Sequence, residues 1–161
     1  MSAEDQAAGP AEAGARALAA LRRILVVEEG RRTCVYADSR GLATVGIGHL
    51  VRPEDGLAIG EAISQAQVDS LFAADGGRAL AAAEAQARAA GIADAAFVVR
   101  LAAVNFQLGT GWTAAFPNTW RLILARDYAA AADELAGSLW ARQTPRRVAA
   151  FQAALRRLAS G

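Results

Sequence analysis

The chain contains 161 residues, of which 54% are hydrophobic and 20% are charged, and its formal net charge is +1. This length accommodates one domain, or two small lobes that share a long helix. The charge provides no strong basic field of the kind that nucleic-acid-binding domains carry, so we expect no nucleic-acid partner. The single cysteine, Cys34, excludes an internal disulfide, and we interpret it as a buried strand thiol. One cysteine and one histidine cannot assemble a familiar zinc site, so we expect no metal and no other cofactor.

The first residues are rich in Ala, Glu and Gly and precede the first apolar stripe, which predicts a flexible leader over residues 1–14. They contain no basic segment followed by an apolar one, so we expect no secretory signal. The strongly apolar run from Ile24 to Val27 is bounded by charged residues and is too short to span a bilayer. We therefore expect no membrane insertion.

Residues Ala17 to Glu29 predict an amphipathic helix, and Gly30 is a natural residue to follow its end. Glu29 then lies in the last turn, where the partial negative charge of the helix end disfavours a carboxylate. Glu29 therefore suits a general acid. Its neighbour Glu28 is interpreted as an ordinary solvated carboxylate.

A turn and a strand follow this helix. Asp38 opens the turn Asp38-Ser39-Arg40-Gly41, whose amides and solvent can satisfy an ionised side chain, so Asp38 suits a base. Strand alternation puts Thr44 on the same open face as Gly46 and Gly48, where a ligand could approach the backbone closely.

Hydrolysis of a sugar acetal needs one protonated and one ionised carboxyl group, and Glu29 and Asp38 can form that pair. Considered alone, Glu29 would be an ordinary helix-end carboxylate and Asp38 an ordinary turn residue. Thr44 alone would be an ordinary strand residue. The interpretation depends on their joint spacing.

The middle of the chain predicts a small antiparallel sheet over roughly residues 32–60, followed by a helix. Ser64 and Gln67 have the spacing of a capping box at the start of that helix. Gly76-Gly77 weakens its middle, which leaves open one long helix or two.

The C-terminal part predicts further helices. Residues 95–108 are almost entirely apolar, as expected of a helix at the centre of a lobe. Thr144-Pro145 predicts the N-cap and first residue of a final helix that ends near Leu158.

The motif in residues 29–50 resembles the phage-type lysozymes of glycoside hydrolase family 24. The matching pattern is Glu29-Gly30, Tyr36-x-Asp38 and Gly41-x-x-Thr44-x-Gly-Ile-Gly-His-Leu, with every spacing intact. Later matches are Asn105-Phe106-Gln107-Leu108-Gly109, Phe116-x-Asn118 and Trp140-x-x-Gln143-Thr144-Pro145-x-Arg147. The resemblance implies an α+β, lysozyme-like fold: a small antiparallel-sheet lobe (15–62) is joined by a long helix (63–91) to a larger helical lobe (92–161), with a cleft between the lobes.

The resemblance also implies functional residues. It assigns the catalytic roles to Glu29, Asp38 and Thr44. The residues predicted to bind substrate are Gly48, His49, Leu50, Phe106, Gln107, Phe116, Ser138 and Arg147. A lone histidine is more often structural, and we expect His49 to orient the strand end through an acidic partner, Asp75.

The three tryptophans, Trp112, Trp120 and Trp140, favour a place in the core over stacking on sugar rings. The arginines near the final helix favour a solvated charged face, although Arg147 matches the family's arginine. A cation near Glu29 would oppose the helix-end effect that favours its protonated form, and the sequence leaves the balance of the two open.

We expect a muramidase that hydrolyses the β-1,4 bond between N-acetylmuramic acid and N-acetylglucosamine in peptidoglycan. The resemblance implies inversion, with a water held by Asp38 and Thr44. Two alternatives remain: a lytic transglycosylase, and a non-catalytic wall-binding or secretion-apparatus module. Use of the same enzyme as a toxin is also open. We expect a monomer that is made in the host cytoplasm, is released through a holin-type pore and acts on the wall in the periplasm.

Overall fold

The computed structural model describes residues 9–161 and has the predicted α+β class within that range. The helices are α1 (Pro10–Glu29), α2 (Gln65–Ala89), α3 (Ala95–Leu108), α4 (Trp112–Ala115), α5 (Pro117–Leu124), α6 (Tyr128–Leu135), α7 (Leu139–Gln143) and α8 (Pro145–Ala159), and the strands are β1 (Arg32–Ala37), β2 (Ala43–Gly46) and β3 (His49–Leu50). Among these residues, no helix combines the length and the apolar character that crossing a bilayer requires.

Helix α1 begins at Pro10 rather than at the predicted Ala17. A proline fits the first turn because its missing N–H would have no helical partner, and Glu12 pairs with Arg16 one turn later at 2.5 Å. Residues 10–14 are therefore helical, not part of a flexible leader, and residues 1–8 of that predicted leader lie outside the described range. The C-terminal end is as predicted: Gly30, at φ 75°, donates its N–H to Val26 O at 3.0 Å.

The sheet is antiparallel in the order β1-β2-β3. Tyr36 pairs with Thr44, and Val45 pairs with His49. The strands end at Leu50, well before the predicted residue 60, because a 3₁₀ turn over Pro53–Asp55 follows and proline cannot donate to a strand ladder. Only an isolated bridge between Cys34 and Ala62 extends the pairing within the described residues.

Cys34 is exposed, so its interpretation as a buried thiol is wrong. Val35, the next residue of β1, is 2% exposed and points into the core. Since adjacent strand residues point to opposite faces, Cys34 faces outward.

Helix α2 runs without interruption through Gly76-Gly77. Its capping box is confirmed: Ser64 Oγ accepts from Gln67 N–H at 3.1 Å, and Gln67 Oε1 accepts from Ser64 N–H at 2.7 Å. Gly76 lies where two helices approach closely, since a Cβ there would be 3.0 Å from Leu18 of α1 and from the Phe72 ring. The glycine thus provides space for α1, which offsets its cost in helix propensity.

Helix α3 lies at the centre of the helical part, packed against α1, α2 and α8. Aromatic rings extend the core from it: Phe97 lies 6.0 Å from Phe151, and Phe151 lies 5.8 Å from Trp112, centroid to centroid. Trp112 and Trp140 are buried, which confirms their prediction as core residues. Trp120 is half-buried and meets the Trp112 ring edge-on.

Candidate active site

Glu29 lies at the C-terminal end of α1, against the turn between β2 and β3. A Cβ on Gly48 would lie 3.1–3.2 Å from the Cβ, Cγ and Cδ atoms of Glu29, so the missing side chain makes room for the carboxylate. From α8, Arg147 Nη1 donates to Glu29 Oε1 at 2.7 Å. Both side chains are about four-fifths buried, with 22% of Glu29 and 19% of Arg147 exposed. Helix end, turn and arginine together fix the position of this carboxylate.

Glu28 is not the solvated carboxylate that the sequence predicted. Its Oε1 accepts from Arg100 Nη1 of α3 at 2.7 Å, and both side chains are largely buried. Its backbone carbonyl accepts from Arg147 Nη2, also at 2.7 Å. Carbonyls in the last turn of a helix lack intrahelical partners, and Arg147 satisfies one of them.

Asp38 has the turn environment that the sequence predicts. Its Oδ1 accepts from the backbone N–H groups of Arg40 and Leu42 at 2.8 and 2.9 Å, and its Oδ2 accepts from the Arg40 guanidinium at 3.2–3.3 Å. The backbone N–H of Leu42 is the largest cause that lowers the pKa of Asp38, followed by the backbone and side chain of Arg40, while desolvation opposes them. Asp38 is therefore ionised at neutral pH.

Thr44 is linked to Asp38 through one residue, Leu42. The Thr44 hydroxyl donates to Leu42 O at 3.1 Å, and the Asp38 backbone N–H donates to the same oxygen at 2.8 Å. Thr44 is only 6% exposed, so its hydroxyl has a fixed orientation.

The strand β2 separates the two carboxylates. Glu29 lies beside Gly48, just beyond the Gly46 end of β2, and Asp38 lies beside Leu42, just before its Ala43 end. At roughly 3.4 Å per residue, a four-residue strand spans about 10 Å between its first and last residues. Thr44 lies between the two ends.

His49 has the predicted partner and a second one. Its Nδ1 lies 2.5 Å from Asp75 Oδ2, which confirms the expected contact, and its Nε2 lies 2.9 Å from Asp55 Oδ2. Asp75 also pairs with Arg78. The hydrogen bond to Asp75 is the largest cause that raises the pKa of His49, and Asp55 adds to it against desolvation. Asp55 was not predicted, because it belongs to a 3₁₀ turn in a segment expected to form strands.

A cleft of about 320 Å³ opens beside Gly48. It is lined by residues of the β2–β3 turn, β3, α2 and α3, including four of the predicted substrate-binding residues: Gly48, His49, Leu50 and Phe106. Its lining does not include Glu29, Asp38 or Thr44. Gly48 connects the cleft to Glu29. It lines the cleft, and the position that its Cβ would occupy lies against the Glu29 side chain.

The amide of Gln107 is used within the protein. Its Nε2 donates to Thr144 Oγ1 at 3.1 Å, and its Oε1 accepts from Trp140 Nε1 at 3.1 Å. Thr144 precedes α8 as predicted, but its hydroxyl binds Gln107 and Trp140 O and does not cap the helix. Gln107 thus joins α3 to α7 and to the start of α8.

Phe116 and Ser138 line a second depression of about 450 Å³, together with Asn118. Ser138 is the N-cap of α7: its Oγ accepts from Ala141 N–H at 3.0 Å and donates to Leu135 O at 2.7 Å. These two predicted residues therefore lie together, in a depression whose lining shares no residue with the cleft beside Gly48.

Comparison with known proteins places this geometry in a family. A family model described as Phage lysozyme matches residues 27–159. A protein named "Probable T4-type lysozyme 2", from Dictyostelium discoideum, is 29% identical over 152 residues, which cover 81% of this chain and 89% of that protein. A protein named "Peptidoglycan hydrolase gp36", from Pseudomonas phage phiKMV, is 33% identical over 130 residues, which cover 81% of this chain but only 14% of that protein. Since the family match includes Glu29, Asp38, Thr44 and the helices packed around them, the chain belongs to the phage lysozyme family.

Proposed function

We propose that this enzyme is a muramidase, which hydrolyses the β-1,4 bond between N-acetylmuramic acid and N-acetylglucosamine in peptidoglycan. Membership of the phage lysozyme family and the relatives named lysozyme and peptidoglycan hydrolase support this activity. The observation that carries the proposal is the arrangement around β2: Glu29 packs on Gly48 at one end, beside the cleft, and Asp38 and Thr44 meet through Leu42 at the other.

Glu29 is the proposed general acid. Its Oε1 is occupied by Arg147, and no donor among the described residues reaches Oε2. Oε2 is therefore the oxygen that would carry the proton and deliver it to the leaving glycosidic oxygen. Arg147 holds the carboxyl group in one orientation, as a positioned acid requires.

Asp38 and Thr44 are the proposed water-binding groups. Ionised Asp38 can accept a hydrogen bond from water, and the Thr44 hydroxyl keeps a lone pair for a second one because it donates to Leu42 O. The lowered pKa of Asp38 makes it a weak base. We therefore assign it the orientation of the water and the stabilisation of positive charge on the sugar more than proton abstraction.

Inversion is the proposed stereochemical outcome. An inverting pair must leave room for water, with the carboxyl groups about 6.5–9.5 Å apart, whereas a retaining pair lies at about 5–5.5 Å. The separation of Glu29 and Asp38 by the length of β2 favours the larger spacing. Of the predicted substrate-binding residues, Leu50 and Phe106 offer apolar surface on the two sides of the cleft, and Phe116 and Ser138 would contact a more distant part of the wall polymer.

Product analysis tests the reaction. Purified peptidoglycan is digested, and proton NMR is recorded before mutarotation. The α-anomer should appear first. Initial β-anomer would make Asp38 a nucleophile, 1,6-anhydro ends would identify a transglycosylase, and binding without new reducing ends would identify a non-catalytic module.

Delivery is a separate part of the proposal. We propose that the enzyme acts as a monomer in the periplasm and reaches the wall through a holin-type pore. Expression in a Gram-negative host should cause lysis only when a pore-forming protein is co-expressed. Lysis without a pore would overturn this route, and light scattering would show the oligomeric state.

A further inference from the structure

We propose that Arg100 is a positioning residue for catalysis, acting on Glu29 through Glu28 and Arg147. This inference rests on the proposed function of Glu29 as the acid. The two adjacent glutamates have different partners: Glu29 contacts Gly48 and Arg147, whereas the Glu28 side chain bonds to Arg100.

Arg100 is an unusual residue for its helix. Helix α3 is buried over much of its length, and its polar residues are Arg100, Asn105 and Gln107. Asn105 bonds to Gln86 of α2, and Gln107 bonds to Thr144 and Trp140. Each polar side chain of α3 therefore joins this central helix to another element, and Arg100 joins it to the last turn of α1.

The Glu28 contact is strong for its setting. Its 2.7 Å hydrogen bond joins two charged groups whose side chains are 16% and 21% exposed. Charge-assisted hydrogen bonds are shorter and stronger than neutral ones, and limited exposure reduces their screening by solvent. The pair ties the end of α1 to the most central helix of the fold.

Glu28 also provides the second anchor of Arg147. One nitrogen of that guanidinium bonds to Glu28 O and another bonds to Glu29 Oε1, both at 2.7 Å. The orientation of Arg147 relative to Glu29 therefore depends on where the Glu28 peptide lies. Helix α1 ends at Glu29, and Gly30 follows with φ 75°. No further helical turn therefore holds the Glu28 peptide in place. Arg100 fixes the Glu28 side chain, and through it the carbonyl and the arginine that orient the acid.

The central test is Arg100→Met, which keeps the apolar stem and removes the charge. With a soluble peptidoglycan fragment, kcat should fall about tenfold to a hundredfold, as for a small misplacement of a reacting group, while KM changes little. Arg100→Lys should recover part of kcat. Arg157→Met is the control, because it removes a different arginine–carboxylate contact, between α8 and Asp94 at the N-cap of α3, at an exposed site.

Arg100→Met leaves Glu28 partly buried and unpaired, which can destabilise the fold. The double variant Arg100→Met/Glu28→Met removes both charges, and should recover melting temperature but not kcat. Recovery of both would show a purely structural role and overturn the proposal.

A readout independent of activity separates this inference from the proposed function. In ¹⁵N-arginine-labelled full-length protein, the Nη signals of Arg147, assigned with Arg147→Lys, should be distinct in the wild type and averaged in Arg100→Met. Unchanged Arg147 signals would overturn the positioning role. A wild type that fails to cleave peptidoglycan would instead overturn the muramidase assignment, whatever these signals show.

Discussion

Glu29 and Asp38 lie at opposite ends of the same strand, and they are held in different ways. Glu29 is fixed by Arg147, 118 residues later in the chain, and by the space beside Gly48. Asp38 is fixed by groups within four residues: the N–H groups of Arg40 and Leu42 and the Arg40 side chain. The proposed acid site thus depends on contacts distant in the chain, whereas the proposed water site is largely a property of one turn.

This difference suits the two chemical tasks proposed for Glu29 and Asp38. A proton donor must point at one atom of the substrate, so contacts from several elements are appropriate. A group that stays ionised needs hydrogen-bond donors, which turn amides supply without any charged partner. The experiments below test whether the acid end is the more sensitive to distant changes.

The largest effect is expected for Glu29→Gln. The amide can still accept from Arg147 but cannot protonate the glycosidic oxygen, so the rate of wall hydrolysis should fall by about 10³ or more, while the circular dichroism spectrum stays unchanged. Glu61→Gln is the matched control, since the Glu61 side chain accepts from a local amide, Ala58 N–H, in an exposed loop. A folded Glu29→Gln variant with full activity would remove Glu29 from the mechanism.

Gly48→Ala should have the next largest effect. The glycine has φ 65°, which costs an alanine about 1–2 kcal/mol, and the new methyl group would press on Glu29 at 3.1–3.2 Å. Gly56 has the same φ, but a Cβ built there has no neighbouring atom within 4 Å. Gly56→Ala should therefore reproduce the stability cost of the backbone conformation without a loss of activity. We expect activity to fall about tenfold or more in Gly48→Ala alone. Equal activities in the two variants would show that Glu29 does not depend on this contact.

The difference between local and long-range contacts also explains which features could be predicted from sequence. The turn at Asp38, the end of α1 at Gly30 and the capping box at Ser64 depend on nearby residues, and each was predicted correctly. The Glu28–Arg100 pair joins residues 72 apart, and neither residue type nor spacing indicates it. The family resemblance supplied Arg147, but not its second bond to Glu28 O.

Two predictions from sequence are wrong for different reasons, one set by packing of the strand and the other by a local turn. Cys34 looked like a buried strand residue, but the parity set by Val35 turns it outward. The sheet is shorter than the sequence predicts because the 3₁₀ turn at Pro53–Asp55 follows β3, and that turn, which strand alternation does not indicate, brings Asp55 to His49.

A smaller effect, on stability, is expected at His49. Its pKa is raised above the unfolded value of 6.5, mainly by Asp75, so its contribution is complete below that value and is lost as pH rises through the folded-state pKa. The pKa of Asp55 shifts in the opposite direction, because the Arg52 N–H and then His49 lower it below 3.8. The contribution of Asp55 to stability is therefore lost as pH falls through its folded-state pKa. Stability should therefore be greatest between these limits.

Melting temperatures of the wild type and of His49→Asn measure this contribution across pH. Hydrogen bonds to charged groups contribute about 1.5–3 kcal/mol, so the two proteins should differ by several degrees below pH 6.5 and converge as the pH rises through the folded-state pKa of His49. Arg78 and Arg52 stay charged throughout this range and do not alter the sign. Parallel curves would show that His49 does not titrate between its two carboxylates.

The smallest effect is expected for Arg40→Ala, which separates the turn amides from the turn side chain. The Arg40 guanidinium is 72% exposed, and its bonds to Asp38 are 3.2–3.3 Å long, whereas both backbone N–H bonds remain in the variant. Loss of a cation raises the pKa of Asp38 toward its usual value, so the acidic limb of the kcat/KM profile should move slightly to higher pH. Its activity at neutral pH should stay within about twofold of wild type, because an exposed ion pair contributes little.

Arg147→Leu, measured beside Arg40→Ala, should lose far more activity, because the Arg147 side chain is largely buried and bonds to Glu29 and to Glu28 O. Equal losses in the two variants would mean that Asp38 depends on a side-chain partner as strongly as Glu29 does, and the contrast between a tertiary acid site and a local water site would fail.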